Sequence, residues 1–114
     1  VQSSPPADCV FCGIVAGRVD AERVAEGDGW LAFRDIGPQA PTHVLVVPTA
    51  HVPDLNAWGG GPDLLAACAQ VARDEGVDAS GYRVILNTGP DGGQEVAHVH
   101  AHVLGGRALG PMLA

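Results

Sequence analysis

Lysine is absent from the 114 residues: the six cations are all arginines, set against 13 carboxylates for a formal net charge of -7. No run of basic residues is available to track a phosphate backbone, which excludes polymeric nucleic acid as a partner. A small phosphate ligand is not excluded, because imidazoles and backbone N–H groups hold one without a basic surface. Aromatic residues are scarce, only Phe11, Trp30, Phe33, Trp58 and Tyr82, so a core has to be assembled mostly from Val, Leu, Ile and Ala. No stretch approaches the roughly 20 apolar residues of a membrane span. The opening VQSSPPADC lacks the charged-then-apolar pattern of a secretion signal. Together these point to a cytoplasmic protein without a membrane partner. There are too few cysteines for a disulfide framework: Cys9, Cys12 and Cys68 are odd in number, and the pair in C-V-F-C reads in a reducing compartment as a metal or redox pair. Cys68 lies in a helical apolar pattern and reads as core.

What is present fits one core: 46% hydrophobic and 17% charged residues is a globular balance, and the length is near the commonest for a domain. Residues 1–8 carry Ser, two Pro and an Asp without periodicity and read as a flexible arm ahead of a domain spanning 9–114. The run from Phe11 to Ala16 predicts one or two helical turns closed by Gly17. Trp30 to Asp35 alternates and reads as a strand ending at Gly37-Pro38, and His43 to Val47 reads as a buried strand stopped by Pro48. After Gly59-Gly60-Gly61, the residues Leu64, Leu65, Cys68, Val71 and Ala72 recur at helical spacing up to Gly76. Tyr82 to Asn87 is a third strand, Thr88 to Gly93 a glycine-rich loop, and His98 to Leu104 a fourth strand of strict period two. Strands not evenly interleaved with helices predict an α+β fold, a mostly antiparallel sheet with one main helix.

That last strand carries the chemistry. His98, His100 and His102 alternate with Val99, Ala101 and Val103, so three imidazoles share one face and three aliphatics the other, with neighbouring imidazoles roughly 7 Å apart at their Cα atoms. Three of the chain's five histidines on one face make poor core and point to a functional site. The pattern alone has two readings: three ligands for one metal, or a nucleophile with neighbouring proton donors for phosphoryl transfer.

The segment G-G-Q-E-V-A-H-V-H-A-H-V-L-G-G-R, Gly92 to Arg107, resembles the signature of the histidine-triad (HIT) family, in particular its nucleotide-binding, phosphoramidase-like branch. F-R-D-I-G-P-Q-A-P-T-H, Phe33 to His43, matches the same branch in the expected place, and L-G-P-M-L-A resembles the ending of bacterial members. The resemblance covers about residues 9–114. It implies a compact α+β subunit whose sheet continues across a two-fold axis into a second copy, a homodimer. The implied substrate is adenosine or guanosine monophosphate (AMP or GMP) joined to an amine or lysine. By position, His100 is the nucleophile that forms a nucleotidyl-histidine intermediate, His102 and His43 contact the phosphate, and Asp35 binds the ribose hydroxyls. Ile14, Phe33 and Ile36 flank the base, while Asn87 and the backbone of Gly93, Gln94, Glu95 and Val96 cradle the phosphate and leaving group. Glu95 stands where many members carry a serine acting on the leaving group, and glutamate there resembles bacterial members.

These roles suit the residue types. Imidazole is a good nucleophile near neutral pH and a tolerable leaving group, so a P–N bond forms and breaks without a metal. Asp35, before a Gly-Pro turn, has the alternative reading of a turn residue. With His43, His100 and His102 assigned to phosphate, the C-x-x-C pair needs two more ligands for a closed tetrahedral zinc site. His51 and His98 remain, so Cys9, Cys12, His51 and His98 are the expected structural zinc ligands, an arrangement some bacterial relatives resemble. Two rival functions stay open: a metal-dependent hydrolase that uses His98, His100 and His102 together, and a non-catalytic nucleotide-binding module.

Overall fold

Period-two burial along one strand organises the molecule. The computed structural model describes residues 8–112. Of the flexible arm expected over residues 1–8, only Asp8 falls within the described residues. Helix α1 (Val10–Val15) is followed by strands β1 (Arg23–Gly27), β2 (Trp30–Arg34) and β3 (Thr42–Pro48). A short 3-10 turn at Leu55–Ala57, helix α2 (Leu64–Asp74) and strands β4 (Tyr82–Leu86) and β5 (Ala101–Gly105) complete the chain. The strands form one sheet in the order β1-β2-β3-β5-β4, with every neighbouring pair antiparallel.

Every residue of β3 is buried, because a layer covers each face of the sheet. Val44 and Val46 of β3, Ala32 of β2 and Ala101 and Val103 of β5 pack with Ala67, Cys68, Val71 and Ala72 of α2. The opposite parity, Leu45 and Val47 of β3 with Leu31 and Phe33 of β2, packs with Phe11 and Ile14 of α1. Successive side chains on a strand point to opposite faces, so His43, at odd parity on β3, is committed to the α1 side. His102, paired with Leu45 across the β3–β5 ladder, is committed to the same side.

Asp63 caps α2 by accepting from the Ala66 N–H at 3.0 Å, and Gly76, at φ +73, ends it where a side chain would be strained. Gly17, at φ +81, closes α1 in the same way.

Three expectations from the sequence need correction. There are five strands rather than four: β1 has the exposed sequence RVAEG, with no apolar alternation to announce it. The last strand begins at Ala101 rather than His98, since His98 lies in a bend and His100 in the lead that follows it, outside the ladder. Within that lead the Val99 N–H bonds the Val52 carbonyl at 2.7 Å. Leu65 is 75% exposed and faces away from the core that Cys68 and Val71 join.

Val46→Ala removes two methyl groups from a fully buried position, and with partial collapse of the hole the expected loss is about 2 kcal/mol. Asp63→Ala, which deletes a cap, should lose about 1 kcal/mol. Urea unfolding checks both, and equal losses would mean that the core and the cap had been ranked wrongly.

Candidate active site

The α1 face of the sheet opens into a cleft of about 420 Å³. Phe11 and Ile14 of α1 form one wall with the Val19–Ala21 loop, Phe33 lies at the inner end, and Asp35 and the almost fully exposed Ile36 stand at the end of β2. His100, His102, Glu95 and Val96 close the opposite side. Val10, Val19, Asp20 and Ala21 were not anticipated; a loop residue with no periodicity carries no sequence signal for its position. His43 sits behind His102 rather than on the cleft wall. Asn87, Gly93 and Gln94 do not line the cleft.

Two imidazole tautomers follow from fixed backbone partners. The His100 Nδ1 lies 2.8 Å from the His98 carbonyl, which can only accept, so Nδ1 carries the proton and Nε2 keeps a lone pair. The Gln39 backbone N–H donates to His43 Nδ1 at 3.0 Å, so neutral His43 carries its proton on Nε2. That proton is donated to His102 Nδ1 at 2.9 Å, which leaves the His102 proton on Nε2. Arg107 supports the chain of bonds by donating to the Gln39 carbonyl at 3.0 Å. Rings 100 and 102 stand edge to face with centroids 5.1 Å apart. A nitrogen lone pair and an N–H donor are thereby presented side by side.

Asp35 makes the turn of its alternative reading, with Oδ1 accepting from the Gly37 N–H at 2.8 Å, and its Oδ2 lies 3.5 Å from His43 Nε2. Burial lowers the His43 pKa, against the pull of Asp35. Burial, reinforced by like charge from His100 and His43, lowers His102 from 6.5 to about 4. Both rings are therefore neutral at pH 7, as the bond pattern requires.

The glycine-rich loop is braced from within. Asn87 Nδ2 donates to the Gly92 carbonyl at 2.7 Å, and the Gln94 side chain bonds Gly89 N–H, the Pro53 carbonyl and the Val96 carbonyl. The Gly93 and Gln94 N–H groups are taken by the Pro90 and Gly89 carbonyls. A Cβ at Gly92 would stand 2.4 Å from the Thr88 carbonyl oxygen, so only glycine closes this turn.

His98 points away from the cleft. Its ring is fully buried, with Nε2 donating to the Pro48 carbonyl at 2.9 Å, which leaves the Nδ1 lone pair facing three other donors. That nitrogen is 3.5 Å from each of the Cys9 and Cys12 sulfurs and 3.3 Å from His51 Nδ1, and Cys12 Sγ is 3.2 Å from His51 Nδ1. Bond lengths to tetrahedral zinc set ligand separations of about 3.5 Å for S···N and about 3.3 Å for N···N. Three of these four separations match those values and the Cys12–His51 one is shorter by about 0.3 Å; all four ligand atoms lie within 4.8 Å of one another and can hold a metal ion. Burial and the adjacent Cys9 sulfur raise the Cys12 thiol to about 11, so a cation is what would keep it a thiolate. The cluster separates His98 from the other triad members: both its nitrogens are engaged here, so one ion is not bound by His98, His100 and His102 together, although Asp35, His43 and His102 also bring ligand atoms within 4.8 Å of one another.

A model of the HIT domain matches residues 16–109. The chain belongs to the HIT family. The purine nucleoside phosphoramidase of Escherichia coli K12 is 42% identical over 112 residues, 94% of either chain. A histidine triad protein from Clostridium difficile superposes with a TM-score of 0.87 at 40% identity, covering 95% of this chain and 98% of that one. A Zn-bound histidine triad family protein from Mycobacterium smegmatis gives 0.72 at 34% identity, over 94% of this chain and 80% of the other. The α+β architecture read from the sequence is thus that of HIT proteins.

The lowered His102 pKa has a defined sign. Above pH 6.5 neither state is protonated there; between about 4 and 6.5 the unfolded chain takes up a proton that the folded chain refuses. This share of stability is complete above 6.5 and lost as pH falls through about 4. Denaturation midpoints at pH 7 and pH 5 should therefore differ less in His102→Asn than in the parent, and equal differences would contradict the shift.

Proposed function

We propose that this protein is a hydrolase of purine nucleoside 5′-phosphoramidates and related nucleotidyl conjugates, acting through a nucleotidyl-histidine intermediate on His100. The observation that carries this reading is the pair of fixed tautomers: a lone pair on His100 Nε2 beside an N–H on His102 Nε2. The base lies between Phe33, Ile14 and the exposed Ile36, and Asp35 takes the ribose hydroxyls, which hydrogen-bond well to a carboxylate. The His100 lone pair attacks the α-phosphorus. The P–N bond breaks, and its electrons leave with the amine, which takes a proton from solvent at the cleft mouth while the His102 Nε2–H stays hydrogen-bonded to a phosphoryl oxygen. Water then attacks the same phosphorus, the Nε2–P bond breaks with its electrons returning to His100, a proton is released to solvent, and the nucleoside monophosphate departs. His43, donating to His102 Nδ1, holds that ring in register through both halves, and the neutral pair adds N–H polarity at the phosphate oxygens.

Glu95 stands between the cleft and an adjoining depression of about 320 Å³, which also reaches Asp8 and His51. This is the exit for the leaving group, where a carboxylate favours a departing ammonium. From the loop, the Glu95 and Val96 backbone is what borders the phosphate, with Asn87, Gly93 and Gln94 shaping it from behind. The relative from E. coli supports the substrate class by its name.

Cys9, Cys12, His51 and His98 hold a structural zinc ion in this reading. The support is the match of donor separations to tetrahedral geometry, the His98 tautomer fixed by Pro48, and the Zn-bound relative. Bound zinc supplies a closed cross-link from α1 to the segments before α2 and β5.

The protein also works as a homodimer. β4 is an edge strand with Tyr82 and Val84 more than a third exposed, and beside it lies an apolar groove of about 420 Å³ that takes in Leu65, Trp58 and Leu86. An open edge beside an apolar groove is a liability that an isologous contact removes.

His100→Asn should lower hydrolysis of a nucleoside 5′-phosphoramidate by about a thousandfold or more while purine monophosphate still binds. Near-parental turnover would remove His100 as nucleophile, and a slow parent that binds nucleotide tightly would point to a holding module. Val84→Asp, which places like charges on facing copies of the edge, should shift sedimentation from dimer to monomer at micromolar concentration. A parent that sediments as a monomer would overturn the dimer.

A further inference from the structure

We propose that the Cys9–Cys12–His51–His98 cluster positions the catalytic nucleophile, with His98 as the positioning residue, so that metal occupancy sets the tautomer and reactivity of His100. This rests on the reading of His100 as nucleophile and of the cluster as a zinc site.

The sheet does not hold this segment. The β3–β5 and β4–β5 ladders start at Ala101, so neither His98 nor His100 is fixed by sheet hydrogen bonds. Among the described residues, the backbone bonds of this lead are His98 N–H to the Val96 carbonyl and Val99 N–H to the Val52 carbonyl. The peptide that carries the His98 carbonyl is held at its N–H end by Val52, the residue after the ligand His51, and residue 98 itself by its ring, fixed at Nδ1 by the cluster and at Nε2 by the Pro48 carbonyl, so the cluster bears on this peptide from both sides. The carbonyl of that same residue receives the His100 Nδ1 proton at 2.8 Å. Rotating the residue 98 peptide removes the one acceptor that confines the His100 proton to Nδ1. Neutral imidazole then distributes its proton over both nitrogens, and the lone pair at Nε2 is present only part of the time.

A second link runs through α1. Phe11 is next to Cys12 in sequence, and its ring stands edge-on to His100 at 4.9 Å and to His98 at 5.9 Å. Holding Cys12 therefore also holds the wall against which the nucleophile packs. Of the proposed ribose and base contacts only Ile14 comes from α1; Phe33 lies on β2, which the ladders fix on both sides, and Asp35 and Ile36 follow directly after it. Loss of metal should thus weaken the chemical step more than nucleotide binding.

The test compares zinc-loaded protein with the same protein stripped by a chelator, well below its unfolding temperature, and with His51→Asn. His51 touches the cluster without lining the cleft, which makes its substitution the milder disruption should stripping unfold the chain. Imidazole 15N shifts report the His100 tautomer independently of activity. Zinc-loaded protein should show the proton on Nδ1 alone, and stripped or His51→Asn protein a mixture of tautomers. The single-turnover rate of nucleotidylation should fall about tenfold or more, in the range of second-shell effects, with a smaller change in the dissociation constant for AMP. An unchanged tautomer and an unchanged rate after verified loss of zinc from folded protein would overturn the proposal. A chain that takes up no zinc by elemental analysis would overturn it together with the zinc assignment. A tautomer that responds to zinc in a protein that cleaves no phosphoramidate would support the positioning and sink the hydrolase reading alone.

Discussion

The sheet is buried on both faces at β3, and that constraint sorts everything else. A strand covered on two sides has to place apolar groups at both parities, and β3 does so with Val44 and Val46 against α2 and Leu45 and Val47 against α1. The α2 layer is long, regular and wholly apolar where it meets the sheet, which makes it a support. The α1 layer is only six residues and leaves part of its face uncovered, so the imidazoles committed to that side by parity meet a cleft rather than a core. The division between scaffold and chemistry is thus a consequence of period two combined with unequal helix length.

Imidazoles placed this way need partners, since a buried ring nitrogen without one carries a desolvation penalty. Each ring that is buried here has a backbone group assigning its proton: the Pro48 carbonyl for His98, the His98 carbonyl for His100 and the Gln39 N–H for His43. Backbone groups do not exchange donor for acceptor roles, so in each neutral ring the assignment is fixed by geometry. The same contacts that satisfy burial therefore decide which nitrogen of each ring is donor and which is acceptor.

Legibility in the sequence follows how local each cause is. The alternation of His and Val over residues 98–103 announced the two faces, because parity is a property of neighbours. The beginning of the ladder at Ala101 was not legible, because it depends on Val99 pairing with Val52, a contact of long sequence separation. The C-x-x-C pair announced a half-site, and counting histidines supplied His51 and His98, which fold together from positions 39 and 86 residues beyond Cys12. β1 left no mark, being an exposed edge with two charged residues in five. The Val19–Ala21 wall left none either. It is placed by the chain folding back over Gly13, where an added Cβ would stand 2.7 Å from Val19 Cγ2.

An acidic chain with no lysine would seem ill suited to a nucleotide. In the proposed function the phosphate meets neutral imidazoles rather than positive charge, in a cleft that the carboxylates of Asp20, Asp35 and Glu95 also line. The arginine at its edge, Arg34, is already spent in a two-pronged pair with Glu75 at 2.6 and 3.0 Å and a contact to Glu22 at 3.0 Å, tying β2 to the end of α2. Beside His100 stands instead the uncharged His102 ring, whose N–H donor is set through His43 by a backbone bond. A fixed positive charge would bind monophosphate product as firmly as substrate, and uniform binding of that kind does not speed the chemical step. In the proposed mechanism His100, by contrast, carries positive charge only while its Nε2 is bonded to phosphorus, so its attraction for the phosphoryl oxygens is present during the reaction and gone once the product is free. Burial that holds His102 neutral to about pH 4 is, on this view, the condition for the site to let its product go.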